Sequence, residues 1–252
     1  MKLRFGPLVL VLLLMLVGCG GGVRDENTKP VKGAKKSSRI NVELGVLYMR
    51  QGNYKNAMLR LKKAVNHDPD NAFAYASLAL LYSRLKQNDL AEENFARAIE
   101  LSPKDAGIHN NYGAFLCRQK KYVEAQRQFK IALGIPLYNT PEFVYLNAGI
   151  CAQDTATAEK NLRAALRIKP KFPAALLQMS KLSLKLKRYL SARAYLQRFH
   201  AEVKPTPASL WISIQVESVL GDRGTMESHA LLLKGKYPDS EETRLYLLWK
   251  NK

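Results

Sequence analysis

Six prolines recur along this chain at a nearly constant interval: Pro69, Pro103, Pro136, Pro170, Pro205 and Pro238 are separated by 34, 33, 34, 35 and 33 residues. Each follows a stretch with helical spacing of apolar residues and ends it, because proline lacks the amide N–H and pushes the preceding residue out of the helical region. A fixed period of this length is a property of a whole fold rather than of one motif. It predicts a stack of similar units, each too small to hide its own apolar face, so that neighbours must cover one another. Leu, Ala, Lys and Arg dominate the composition, and no series of alternating apolar and polar residues marks out a sheet. The expected class is all-α.

Aligned on the prolines, the first unit carries Leu44, Gly45, Tyr48, Ala57, Leu61 and Ala64 at the same offsets as Leu78, Ala79, Tyr82, Ala91, Phe95 and Ala98 in the second. The third unit has Tyr112, Gly113, Leu116, Ala125, Phe129 and Ala132, with its proline one residue early. This pattern resembles the 34-residue tetratricopeptide repeat, two antiparallel helices that approach closely at a small residue. The resemblance implies a right-handed superhelical solenoid of about six repeats, here over residues 39–238. In the fourth repeat Asn147, Ala148 and Gly149 open the signature, but Ala158 comes three residues sooner than expected, which shortens the turn around Asp154. The fifth keeps Ala192, Leu196 and Pro205 but carries Ser180 and Ser183 in its first helix; the sixth keeps little beyond its helical pattern. Residues 239–252 read as a C-terminal capping helix, with Ser240 as N-cap and Leu245, Leu248 and Trp249 covering the last repeat.

The N-terminus has a different character. Lys2 and Arg4 precede an apolar run from Leu8 to Val17, too short to span a bilayer, and Gly18 stands before a cysteine; residues 1–18 read as a cleaved secretory signal. Leu16, Val17, Gly18 and Cys19 resemble the lipobox of bacterial lipoproteins, which implies that Cys19 is acylated and anchors the chain in a membrane. The alternative is a cysteine that merely ends an ordinary signal. Gly20 to Ser38 contains glycines, Pro30 and four lysines but almost no apolar surface, so residues 19–38 are expected to form a lipidated, flexible tether. Gly20 stands where retention in the inner membrane would ask for Asp, so the resemblance implies the periplasmic face of the outer membrane.

The formal net charge of +19 would ordinarily raise nucleic acid as a partner. Losing Lys2 and Arg4 with the signal still leaves +17, but export removes nucleic acid from reach, so none is expected. The sequence has no phosphate-cradling Gly-Lys-Ser loop, no zinc-type histidine pair and no serine elbow. His67, His109, His200 and His229 fall far apart in sequence. The expectation is a scaffold that acts as a monomer, with no enzymatic activity, no metal, and no cofactor beyond the lipid on Cys19.

Tetratricopeptide arrays bind along the surface lined by their first helices. The corresponding positions of the first two repeats are Arg39, Val42, Val46, Met49 and Arg50, then Phe73, Ala76, Leu80, Ser83 and Arg84, which would make a partly apolar groove with basic edges. Any one of these side chains could instead pack between repeats. Residues 151–204 hold twelve Lys and Arg against three Asp and Glu, with Lys181 and Lys185 on one helical face, either for an acidic partner or lipid headgroup or simply as a solvated face. Cys117 and Cys151 lie 34 residues apart on the first helices of adjacent repeats, which leaves two readings open: a disulfide stapling the repeats, or two buried thiols.

A lipobox followed by six such repeats resembles the type IV pilus biogenesis lipoproteins of the PilF/PilW pilotin family. The resemblance implies that Cys19 carries the protein to the outer membrane, where the groove binds a subunit of the pilus secretin and promotes its insertion and multimerisation. Two other classes fit the same layout: an adaptor for a periplasmic protease or cell-wall hydrolase, and a subunit of the outer-membrane protein insertion machinery.

Overall fold

The structure, a computed structural model, describes residues 33–251. The expected signal segment, Cys19 and residues 19–32 of the expected tether lie outside these residues. The described chain is all helix and turn, thirteen α-helices in succession with no strand among them.

The helices pair in order as six hairpins: α1 (Ala34–Arg50) with α2 (Tyr54–His67), α3 (Ala72–Arg84) with α4 (Asn88–Leu101), and α5 (Ala106–Arg118) with α6 (Tyr122–Gly134). The second half repeats this with α7 (Pro141–Cys151) and α8 (Thr155–Ile168), α9 (Pro173–Lys185) and α10 (Tyr189–Glu202), then α11 (Pro207–Leu220) and α12 (Arg223–Lys236). A last helix, α13 (Glu241–Lys250), closes the end. Each of the six periodic prolines follows the end of a second helix. The residue that precedes Pro69, Pro103, Pro136, Pro170 or Pro238 is the helix C-cap and has left the helical region, as with Asp68 (φ −146, ψ 93) and Lys169 (φ −130, ψ 86). The next helix then starts on a side-chain cap where one is present: Asn71, Asp105, Thr206 and Ser240 each accept from the backbone amide three residues on.

Within a hairpin the two helices close on a small residue. A Cβ at Gly113 would stand 2.6 Å from Phe129 Cε1, and one at Gly45 would stand 2.6 Å from Leu61 Cγ. The repeats then share their cores with their neighbours. Phe95, Phe115 and Phe129 are fully buried in one cluster that runs from repeat two to repeat four, and Leu146, Phe172, Met179 and Phe199 form the next. At roughly 25 cal/mol per Å² of apolar surface, an aromatic side chain shared in this way ties two repeats together by a few kcal/mol.

Each first helix brings its backbone within 8 Å, Cα to Cα, of the first helix that follows, from α1 and α3 through to α9 and α11 and on to α11 and α13, whereas the backbones of successive second helices stay farther apart among the described residues. The first helices therefore crowd along the inner side of a curved stack. The first repeat is longer than the sequence suggests. Residues 34–38, expected in the tether, are the opening of α1: Ser38 is fully buried and its hydroxyl donates to Ala64 O at 2.8 Å. Polar composition hid this, because the segment is held by hydrogen bonds rather than by apolar area.

The later repeats keep the fold despite their sequence. Asp154 caps α8, accepting from Thr157 N at 2.7 Å, which accounts for the shortened turn of repeat four. Ser180 and Ser183 are buried, and Ser180 satisfies its hydroxyl on Leu177 O. At the C-terminus Thr243 and Tyr246 make the buried contact of α13, with Trp249 against Trp211, while Leu248 is 59% exposed. Leu248 was expected to cover the last repeat; it lies two residues, or about 200° of helical turn, from Tyr246 and so faces outward.

Among the described residues, four that are not glycine adopt left-handed backbone conformations. Lys86 (φ 60), Lys120 (φ 61) and Lys187 (φ 55) lie in the turns between first and second helices, where repeat one has Gly52 (φ 74); the fourth is Leu137 (φ 60). A residue with a Cβ pays about 1 kcal/mol or more for this conformation.

Candidate binding groove

The inner helices of the first two repeats enclose a groove of about 730 Å³. Arg39, Val42 and Val46 line it from α1, and Phe73 and Ser77 from α3. Its lining is mixed in charge, with Lys35, Arg39 and Glu43 from α1 and Asp68 and Asp70 from the turn between α2 and α3. Phe73 stands 59% exposed in the second residue of α3, an aromatic ring with little covering it. Such a ring favours an apolar side chain of a partner, and the surrounding charges fix that partner's direction.

The groove is held open from beneath. Asn71 accepts from Ala74 N at 3.2 Å, capping α3, and donates through Nδ2 to Ser38 Oγ at 2.8 Å. One side chain therefore sets the distance between the walls supplied by α1 and α3.

The sequence-derived positions divide in three. Arg39, Val42, Val46 and Phe73 come together in the groove. Met49 and Ala76 do not line it: both are buried between repeats, Met49 with Leu61 and Leu81, and Ala76 with Ala98 and Ile108. Leu80 is part-buried against the core around Met49 and against the cluster of Phe95 and Phe115. The cause is curvature, which turns these positions from the open side toward the neighbouring first helix. Arg50, Ser83 and Arg84 lie beyond the groove at the far ends of α1 and α3. There Arg84 Nη1 donates to Met49 O at 3.5 Å and Arg118 Nη2 to Ser83 Oγ at 3.2 Å. Partial burial, with Arg84 adjacent, pushes the Arg118 guanidinium below its usual range.

Cys117 and Cys151 are joined as a disulfide between α5 and α7, with Cα atoms 5.7 Å apart. In the basic second half, Lys181 and Lys185 flank a cleft of about 290 Å³ with Ile150. Arg188 is engaged elsewhere, donating to Glu159 at 2.8 Å; Arg163 first and Arg188 second hold that carboxyl below the usual range.

One cluster had no signal in the sequence. His200 and His229, 29 residues apart, meet with ring centroids 5.9 Å apart beside a cavity of about 130 Å³ between repeats five and six. His200 bonds Ser209 Oγ at 2.9 Å and His229 bonds Ser213 Oγ at 2.7 Å. Buried Glu217 accepts from Arg193 Nε at 2.9 Å in the same cavity. Burial lowers both imidazoles below their usual range. The weakened pattern of repeat six concealed that α12 faces α10 across α11 at these positions. No group of three or more His, Cys, Asp or Glu side chains capable of holding a metal occurs among the described residues, and none of their helices is long and apolar enough to cross a membrane.

Hairpins stacked in this way, with an open inner groove, define a tetratricopeptide-repeat protein. Family profiles agree, matching the TPR repeat over residues 45–86 and the tetratricopeptide repeat over residues 74–105 and 94–127. The type IV pilus assembly protein PilF of Pseudomonas aeruginosa is 32% identical over 238 residues, covering 93% of this chain and 94% of that protein. The solved structure of P. aeruginosa PilF superposes with a TM-score of 0.76 at 31% identity, covering 86% of this chain and 99% of the other. That of PilW, a type IV pilus biogenesis factor, gives 0.76 at 31%, covering 83% and 98%. The chain belongs to the PilF/PilW family of type IV pilus biogenesis proteins.

Proposed function

We propose that this protein is an outer-membrane lipoprotein, acylated at Cys19, that binds a subunit of the type IV pilus secretin and promotes its localisation and multimerisation. Its relatives are pilus biogenesis factors, which supports a place in pilus assembly. The observation that carries the binding step is the groove of repeats one and two, where Phe73 offers an uncovered aromatic ring between charged walls. An amphipathic helix or extended segment of the partner, with one apolar anchor, would seat there. The mechanism requires no bond to be made or broken. A scaffold held at a membrane raises the local concentration of whatever it binds, so self-association of the partner is favoured by mass action.

Deletion of the gene followed by an immunoblot for heat-resistant secretin multimers tests this reading, with Phe73→Ser and Cys19→Ala introduced separately. Loss of multimers in Phe73→Ser and their mislocalisation in Cys19→Ala are expected. Undiminished outer-membrane multimers in the deletion strain would overturn it.

A further inference from the structure

One edge of the stack differs from the rest of its surface. The turns joining the first helix of each repeat to the second all lie along it. Taken from the last two residues of the first helix through the first three of the second, these six turns hold eleven Lys and Arg against four Asp and Glu. The turns of the opposite edge, counted in the same way, hold six against nine.

The charge is placed against local conformational preference. Lys86, Lys120 and Lys187 occupy the left-handed position that Gly52 fills in the first repeat, and all three are exposed. None of them forms an ion pair among the described residues. A residue retained where glycine would be more stable points to a use for its side chain.

Large apolar side chains stand among these cations with nothing over them. Val123 is 82% exposed and Leu190 70%, each the second residue of its helix and within three residues of a left-handed lysine. Val219, 56% exposed, is the penultimate residue of α11 on the same edge. Lysines interleaved with bare aliphatic groups on a protruding rim match the interface of an anionic bilayer, where phosphates meet the cations and the acyl boundary takes the aliphatic groups. An acidic protein would match the charge, but it would also need pockets at the spacing of the repeats. A bilayer accepts each side chain wherever it falls.

We propose that this edge docks on an anionic phospholipid surface, with Lys86, Lys120 and Lys187 at the headgroup phosphates and Val123 and Leu190 in the acyl boundary. The groove of repeats one and two opens at the opposite edge, among Lys35, Asp68, Asp70 and Ser102. Docking therefore leaves it facing away from the lipid. This contact is separate from acylation and goes beyond the function proposed above.

The test uses the chain from residue 19 with Cys19→Ala, so that no acyl chain contributes; residues 33–251 form the fold. Flotation with vesicles of phosphatidylglycerol and phosphatidylcholine is compared with phosphatidylcholine alone. Binding is expected only to the anionic vesicles and is lost in about 0.5 M salt. Lys86→Gly, Lys120→Gly and Lys187→Gly combined should weaken it about a hundredfold without lowering Tm, because glycine suits all three turns. Lys104→Gln with Lys204→Gln, on the opposite edge, should leave it unchanged. A Val123→Trp indole should shift to the blue and be quenched by brominated acyl chains. Absence of flotation, or equal loss from the opposite-edge variant, would overturn the proposal. So would salt-sensitive binding to polyglutamate with an unquenched indole, which would assign the edge to an acidic protein.

Discussion

Asn71 Nδ2 donates to Ser38 Oγ across 2.8 Å, and Ser38 Oγ donates in turn to Ala64 O across 2.8 Å, so one buried chain of hydrogen bonds ties α3, α1 and α2 together at the base of the groove. Asn71→Ala removes both this tie and the cap of α3. The expected loss is about 1 to 3 kcal/mol in urea unfolding, with faster hydrogen exchange confined to residues 34–42. Ser38→Ala should reproduce most of the effect, and uniform exchange across all repeats in either variant would contradict this account.

Gly113 has no room for a side chain. With a Cβ 2.6 Å from Phe129 Cε1, Gly113→Ala should destabilise the protein by about 1 to 3 kcal/mol through overpacking. Phe129→Leu destabilises alone, yet combined with Gly113→Ala it should recover part of the loss. A double-mutant cycle by thermal unfolding measures the coupling.

Phe73 contributes little to the fold because its ring is mostly in water. Phe73→Ser should change Tm by no more than a degree or two while weakening the secretin binding proposed above about tenfold or more. Calorimetry against the purified secretin periplasmic region reads the second effect. A large fall in Tm would place Phe73 in the core instead.

Stability should fall on mild acidification. His200 and His229 both have folded values pushed below the usual 6.5, by burial first and, for His200, by His229 as well. The unfolded chain therefore binds more protons than the folded one as pH drops from about 6.5 toward the folded values, and stability is lost across that window. The facing charges Arg193, Glu217 and Asp222 belong to the same cavity. Tm measured at pH 7 and at pH 5.5 should differ, and His200→Gln with His229→Gln should remove much of the difference.

The disulfide between Cys117 and Cys151 closes a loop of 34 residues, for which chain entropy predicts up to about 4 kcal/mol of stabilisation. Dithiothreitol should lower the urea midpoint without changing helical content. Thiol alkylation with and without reductant checks the premise; two free thiols before reduction would remove it.

The proline period and the small residues at Gly45, Ala79 and Gly113 made the stack legible, since both express backbone limits that tertiary context does not alter. Groove positions were legible only in part. Met49 belongs to the same set of expected groove positions as Arg50, and Ala76 to the same set as Phe73, but the curve of the array, which depends on all repeats at once, buries Met49 and Ala76 and exposes Arg50 and Phe73. Residues 34–38 misled because their helix is secured by Ser38 and its polar partners. His200 and His229 left no mark, since neither occupies a signature slot. The lysine turns could have been seen: Gly52, Lys86 and Lys120 follow one another at intervals of 34, the spacing of the prolines.

A covalent bond between two inner helices has a mechanical consequence. Because Cys117 and Cys151 fix α5 to α7 at the middle of the array, the pitch between repeats three and four cannot open there. Any flexing that accompanies capture of a partner must occur in the first two repeats or the last two, which then swing as separate arms about a locked elbow.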